Sequence, residues 1–222
     1  LSGDLQRQVA MDSLSMLMVA EQDAGGPLES CVGRLDAMYG DATADFPGDA
    51  LGVRTIFNLI GPLANPGRVR RQVLGVSDPG HLNLHSAALE NLGVAKAVVV
   101  HGGGGADELT LEPGNQIVEI GSEATTMDLP ADVTSLGLAS CPVADLKGGD
   151  AQENAALLRE VLEGTPGPVL DAVLLNSACA LYVAGISPSM QEGVERARTA
   201  IESGRAQETL TQWAALSQKL GG

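Results

Sequence analysis

Residues 97–108 read Ala97-Val98-Val99-Val100-His101-Gly102-Gly103-Gly104-Gly105-Ala106-Asp107-Glu108. Four consecutive apolar residues, three of them β-branched, predict a strand buried on both faces, as a central parallel strand is. A run of glycines and then two adjacent carboxylates follow without a break. In open α/β sheets, ligands sit outside the carboxyl ends of the strands, so this loop stands where a site belongs. Glycines permit close backbone approach. Asp107 and Glu108 are the residue types that hold a hard cation such as Mg2+, which bridges to phosphate oxygens and keeps several waters. Taken alone, such a segment is more often a polar turn between strands. The glycines do not spell a dinucleotide fingerprint, because no Gly-x-Gly-x-x-Gly opens a helix here.

The pattern extends in both directions. Upstream, residues 72–76 read as a buried strand. Asp78-Pro79-Gly80 makes a turn into a helix carrying Leu82, Leu84, Ala88, Leu89 and Leu92, ended by Gly93. Strand, helix, strand predicts a right-handed crossover between parallel strands. Downstream, residues 109–111 and 116–120 flank Pro113-Gly114-Asn115 and predict a hairpin. Helices are expected over 152–163, capped by Asp150, over 169–183, ended by Gly185, and over 189–203, capped by Ser187 or Ser189. A last helical segment covers 207–219. The front of the chain differs. Leu14, Leu17 and Met18 recur at helical spacing within a helix over 5–21, and Ala24-Gly25-Gly26-Pro27 ends it. A second helix over 28–38 presents Cys31, Leu35 and Met38, and residues 39–50 read as a connector. The fold class is α/β with a helical N-terminal segment, divided at about residue 50 into 1–50 and 51–222.

Composition narrows the function. Across 222 residues, 13 basic and 28 acidic side chains leave a formal charge of −15, which would repel nucleic acid or an anionic membrane surface. Two Phe, two Tyr and one Trp are too few for a base-stacking platform. Cys31, Cys141 and Cys179 are odd in number and far apart, which reads as a reducing cytosol and as small apolar packing residues. His81, His85 and His101 join them in no zinc spacing. No secretion signal is visible, and cytoplasmic localisation is the expectation. The chain starts at Leu1 and not at Met, so a processed or partial sequence is expected.

Two further stretches carry possible chemistry. Residues 54–66 place Gly61-Pro62 and Asn65-Pro66 after an apolar run, a rigid irregular backbone able to line a pocket but more often structural. Arg68, Arg70 and Arg71 cluster in an acidic chain. They could meet an anion, and a solvated edge or subunit contact is the commoner reading.

Together these motifs resemble the anthranilate phosphoribosyltransferase family. The resemblance rests on residues 51–66, on Asp107-Glu108 behind a strand ending Val-Val-His-Gly, and on Leu146-Lys147-Gly148-Gly149-Asp150 followed by Glu153-Asn154-Ala155. It is completed by Asp171-Ala172-Val173-Leu174-Leu175-Asn176 leading to Tyr182-Val183-Ala184-Gly185. These occur in the family's order over about three-quarters of the chain. The resemblance implies a partial nucleoside-phosphorylase-like phosphoribosyltransferase domain, paired as a homodimer through a small helical domain. It implies the substrates phosphoribosyl diphosphate (PRPP) and anthranilate, with Mg2+ held by Asp107 and Glu108. It also implies an acceptor channel lined by Gly61 and Pro62, the proline forming an apolar wall against the aromatic ring. No catalytic acid, base or nucleophile is assigned. The family's Gly-Thr-Gly-Gly-Asp, Asn-x-Ser-Thr and Lys-His-Gly-Asn-Arg segments are absent, and Gly48 stands where the family carries its anthranilate-binding Arg. Residues 1–50 offer no substitute. If the chain is complete as written, it is expected to transfer no phosphoribosyl group, and the alternative reading is a non-catalytic remnant or interaction module of the same fold.

Overall fold

The computed structural model describes residue 63, residues 69–130 and residues 132–220. The helices expected over 5–21 and 28–38, the connector over 39–50 and the apolar run over 55–60 lie outside the described residues.

Strand β1 (Arg71–Gly75) leads through a short 3-10 turn (Pro79–His81) into helix α1 (Leu82–Asn91), and strand β2 (Lys96–His101) follows. Asp78 starts the turn, its carboxylate accepting from the Gly80 N–H at 2.9 Å. β1 and β2 pair in parallel, from Arg71 opposite Lys96 to Gly75 opposite Val100. The expected strand–helix–strand unit is therefore present. Strand β3 (Gln116–Ile120) lies on the other side of β2 and runs antiparallel, Ala97 facing Ile120 and His101 facing Gln116. The described sheet has the order β1-β2-β3, so β2 is central but parallel on one side only.

All six residues of β2 are buried, and the alternation of side chains explains why. Ala97 and Val99 point into a core with Leu74, Val76, Leu82, Leu89 and Val94, under α1. Val98 and Val100 point into a larger core on the opposite face. Helix α1 presents Leu82, His85, Ser86 and Leu89 inward. Two leucines expected among its apolar residues do not join them: Leu84 is 57% and Leu92 62% exposed. Leu84 lies two residues from Leu82, on the opposite side of a 3.6-residue turn, and Leu92 follows the last helical residue. The buried polar pair is satisfied locally, Ser86 Oγ donating to the Leu82 carbonyl at 2.7 Å and His85 Nδ1 to the His81 carbonyl at 3.0 Å.

Four helices form the larger core: α2 (Ala151–Leu162), α3 (Pro168–Ala184), α4 (Met190–Glu202) and α5 (Arg205–Leu220). Their ends fall where the sequence places them. Asp150 and Glu153 make a reciprocal capping box on α2, Gly185 ends α3 with φ +79°, and Ser189 caps α4. α3 is buried nearly all round, with Leu174 and Leu175 wholly inaccessible. Truncating either to Ala costs about 2–5 kcal/mol for a fully buried leucine. α4 lays Met190, Val194, Ala197 and Ile201 against this core. Gly193 lets the two helices touch: a Cβ there would stand 2.8 Å from Cα and Cβ of Ala178.

The expected hairpin is corrected. Residues 116–120 form a strand, but residues 109–111 do not. Asparagine side chains take the place of a partner strand. Asn115 Oδ1 accepts from the Thr110 N–H at 2.9 Å while its Nδ2 donates to the Thr110 carbonyl at 2.9 Å. Leu109 receives the same treatment from Asn176, and Ser140 Oγ donates to the Leu111 carbonyl at 2.9 Å. With their backbone groups so satisfied, these residues have no need of a ladder.

Candidate functional site

The loop after β2 turns tightly. Gly103–Gly105 form a short 3-10 turn, and the Gly102 N–H donates to the Ala106 carbonyl at 2.8 Å. His101, at the end of the strand, is buried and directs Nδ1 to the Val76 carbonyl at 2.8 Å. It braces the carboxyl ends of β1 and β2. Asp107 and Glu108 follow, both half-buried. Their backbone lies directly on the strand ends: a Cβ at Gly75 would overlap the Asp107 carbonyl oxygen, and one at Gly102 the Glu108 carbonyl oxygen. The glycines thus serve close approach.

On the far side, α3 closes the cradle. Asn176 Oδ1 accepts from the Leu109 N–H at 3.1 Å, and its Nδ2 donates to the carbonyls of Leu109 at 2.8 Å and Ala172 at 3.1 Å. Five residues earlier on the same helix, Asp171 Oδ2 accepts from the Ala139 N–H at 2.8 Å. The expected motif over 171–176 therefore pins loops with both its polar ends. The motif at 148–154 acts in the same manner on itself. Asn154 takes both the N–H and the carbonyl of Gly149, each at 3.0 Å.

Among the described residues, no group of three or more His, Cys, Asp or Glu side chains could hold a metal ion by itself. Asp107 and Glu108 supply two carboxylates, which suits Mg2+ bound through one or two carboxylates, waters and substrate phosphates. They fit a shared ion better than an all-protein cage. Gly61 and Pro62, expected to line an acceptor channel, lie outside the described residues, as does Arg68. Arg71 is a clamp within the chain. Its guanidinium donates to the Val183 carbonyl at 2.7 Å at the end of α3 and pairs with Glu123. A groove of about 620 Å3 beside α4, which includes Glu195, Arg196 and Arg205, contains none of the loop residues.

The sequence reading missed a buried polar cluster at the other end of the sheet. Lys96 Nζ lies 3.4 Å from Glu119 Oε1, both side chains 8% exposed, and 3.5 Å from the centre of the Tyr182 ring. The Glu119 carboxylate also accepts from the Thr125 N–H at 2.8 Å, the Met127 N–H at 2.6 Å and the Tyr182 hydroxyl at 3.0 Å. Cys179 is buried close by; burial, helped by Glu119 and opposed by Lys96, pushes its thiol up to about 12. Cys141 is also raised, by burial first and then by Asp145, Asp171 and Glu112. Both are free thiols. Within the described residues no helix is long and apolar enough to cross a membrane.

A helix-covered mixed sheet, with paired carboxylates on a glycine loop at the carboxyl end of its central strand, defines an α/β protein. The profile of the glycosyl transferase family, a/b domain, matches residues 44–207, and the chain belongs to that family. The chain is similar to the anthranilate phosphoribosyltransferase of Novosphingobium aromaticivorans, 45% identical over 168 residues, covering 75% of this chain and 50% of that protein. The enzyme of the same name from Chromobacterium violaceum is 41% identical over 172 residues, covering 78% and 50%. Among solved structures, anthranilate phosphoribosyltransferase from Thermus thermophilus superposes with a TM-score of 0.66 at 45% identity, covering 75% of this chain and 49% of that one. The Saccharomyces cerevisiae enzyme, in complex with PRPP and Mg, gives a TM-score of 0.65 at 25% identity, covering 74% and 47%. The chain thus spans about half the length of the curated relatives it matches.

Proposed function

We propose that this chain is the C-terminal α/β portion of an anthranilate phosphoribosyltransferase. In that reaction the anthranilate amine forms a C–N bond to C1 of the ribose, the C1–O bond to diphosphate breaks, and the amine loses a proton. The observation that carries the reading is the Asp107-Glu108 pair. It sits at the carboxyl end of β2 in a chain 45% identical to a named anthranilate phosphoribosyltransferase. A Mg2+ ion held there, together with the diphosphate oxygens of PRPP, would neutralise charge that accumulates on the leaving group.

The residues of the chain do the rest by placement. Gly75 and Gly102 let the carboxylate loop sit flat on the strand ends, and α3 backs it. Paired carboxylates with a cation also let a chain of charge −15 accept a polyanion, because the ion inverts the local sign. Gly61 and Pro62 are proposed as the acceptor wall, residues 1–50 as a helical element that packs on the domain or on a second copy, and the assembly as a homodimer. Cytoplasmic localisation completes the proposal.

The test is a calorimetric titration of the 222-residue protein with PRPP, with and without Mg2+. PRPP should bind only with Mg2+, and the Asp107→Ala/Glu108→Ala variant should lose that binding. Identical binding in parent and variant would overturn the reading. Transfer is followed by loss of anthranilate fluorescence. No transfer is expected from these 222 residues alone, because the family's glycine-rich diphosphate segment is absent from them. A decay that needs PRPP and disappears in Asp107→Ala would show that other residues supply a phosphate site.

A further inference from the structure

We propose that Asn176 is a positioning residue for the Asp107-Glu108 pair, acting through the backbone of Leu109; this rests on the reading of the loop as a Mg2+–diphosphate site. Asn176 is the polar residue that follows Val173-Leu174-Leu175 on the most buried helix. Its carboxamide uses three of its four hydrogen-bonding positions, two of them on Leu109, 67 residues away. Leu109 is 1% exposed and follows Glu108 directly. Its N–H belongs to the peptide that joins it to Glu108, so Asn176 grips the plane from which the second carboxylate departs.

The other described restraints act on different atoms. Gly75 and Gly102 support the carbonyls of Asp107 and Glu108 from the strand side, but a support of this kind blocks approach and does not hold. Asn115 holds Thr110 and also accepts from the Gly103 N–H at 3.3 Å, so it ties the two ends of the loop together and does not touch the Glu108–Leu109 peptide. Among the described residues, Asn176 is thus the side chain that grips both backbone groups of Leu109, at the centre of the stretch between the glycine turn and Thr110. Carboxylates that share one ion with a diphosphate must keep their spacing to within about 0.5 Å. Loss of the Asn176 clamp loosens the Glu108–Leu109 peptide plane, and the spacing of the two carboxylates is held less closely.

Residues that orient metal ligands typically change metal affinity about 10–100-fold when removed. Asn176→Ser is the variant of choice, because a serine hydroxyl still bonds the carbonyl one turn back but cannot span to Leu109. The full chain is titrated with Mn2+ in the presence of inorganic diphosphate, the bound ion read by electron paramagnetic resonance, and thermal unfolding is recorded alongside. Asn176→Ser should weaken the ion about 10–100-fold. Asn115→Ala, which loosens the neighbouring Thr110, should lower the melting temperature while changing affinity less than about threefold by the same reasoning. Equal affinity in the parent and Asn176→Ser, or an equal loss in Asn115→Ala, overturns the positioning role. Equal affinity in the parent and Asp107→Ala/Glu108→Ala overturns the site reading instead. Should Asn176→Ser fail to fold, Asn176→Asp keeps an acceptor for the Leu109 N–H but loses the donor to its carbonyl, and an unchanged affinity there overturns the proposal.

Discussion

Replacing Glu119 by Gln is expected to destabilise the protein by about 3–5 kcal/mol, the range for breaking a buried ion pair from one side. The size follows from what the carboxylate touches. Thr125 N–H donates to Oε1 and Met127 N–H to Oε2, so converting either oxygen to an amide nitrogen leaves one backbone donor facing another donor. That alone is worth about 1–3 kcal/mol. Lys96, 3.4 Å away and as buried as its partner, also loses its counter-charge and keeps the Thr125 hydroxyl at 3.4 Å and the face of Tyr182. The two costs overlap and do not add. Lys96→Met should cost less, about 1–3 kcal/mol, because Glu119 keeps three hydrogen-bond donors and methionine fills the space beside the ring. Urea unfolding of parent, both single variants and the double variant gives the midpoints, compared at constant slope. The double variant should be less destabilised than the sum of the singles by about 1–3 kcal/mol. A loss below about 1 kcal/mol for Glu119→Gln, or a larger loss for Lys96→Met, would refute the reasoning.

Three further outcomes are expected. Gly193→Val should destabilise by at least about 1–3 kcal/mol through overpacking, since even a Cβ meets Ala178 at 2.8 Å; a melting temperature within a degree of the parent's would contradict the packing. Cys179 should resist a thiol reagent at pH 8 until the chain is unfolded. Its thiol is raised from 9.0 to about 12 in the folded state, so its contribution is intact below pH 9. As pH rises from 9 towards 12 only the unfolded chain ionises, and stability falls by up to about 1.4 kcal/mol per pH unit. Cys179→Ala should remove that part of the slope, and an unchanged slope would count against it. Deleting residues 1–45 should lower solubility or change the oligomer size seen by light scattering, as expected if the Leu14, Leu17 and Met18 stripe packs on something. Unchanged behaviour in both would remove the proposed helical element.

What the sequence disclosed was local. Asp150 with Glu153, Ser189 and Gly185 mark helix ends because each satisfies backbone groups within four residues of itself. The all-apolar run at 97–100 marks a strand with a core on each face for a similar reason. The Asp107-Glu108 pair was legible because glycines and carboxylates at a strand end are contiguous. Long-range pairings were not legible. The antiparallel approach of β3 to β2 is absent from any local pattern, and a hairpin was expected at 109–120 because its turn residues are right for one. What replaces the first strand is a carboxamide 67 residues away. Nothing beside Lys96 in sequence announces Glu119 or Tyr182. An isolated asparagine after the apolar run 173–175 was the one available sign of Asn176.

The Arg71 clamp has a consequence for the order of events during synthesis. Its acceptor is the Val183 carbonyl, 112 positions later in the chain. At about 5–20 residues per second, a ribosome needs roughly 6–20 s to travel from one to the other. Throughout that interval β1 exists without the tie from Arg71 to the Val183 carbonyl and without the completed α3, the helix that covers the larger core. The sheet therefore emerges early and is sealed late. Among the described residues, the nascent chain's window of exposure to chaperones and proteases is set by the distance to α3, and slow codons placed between 71 and 183 would lengthen it.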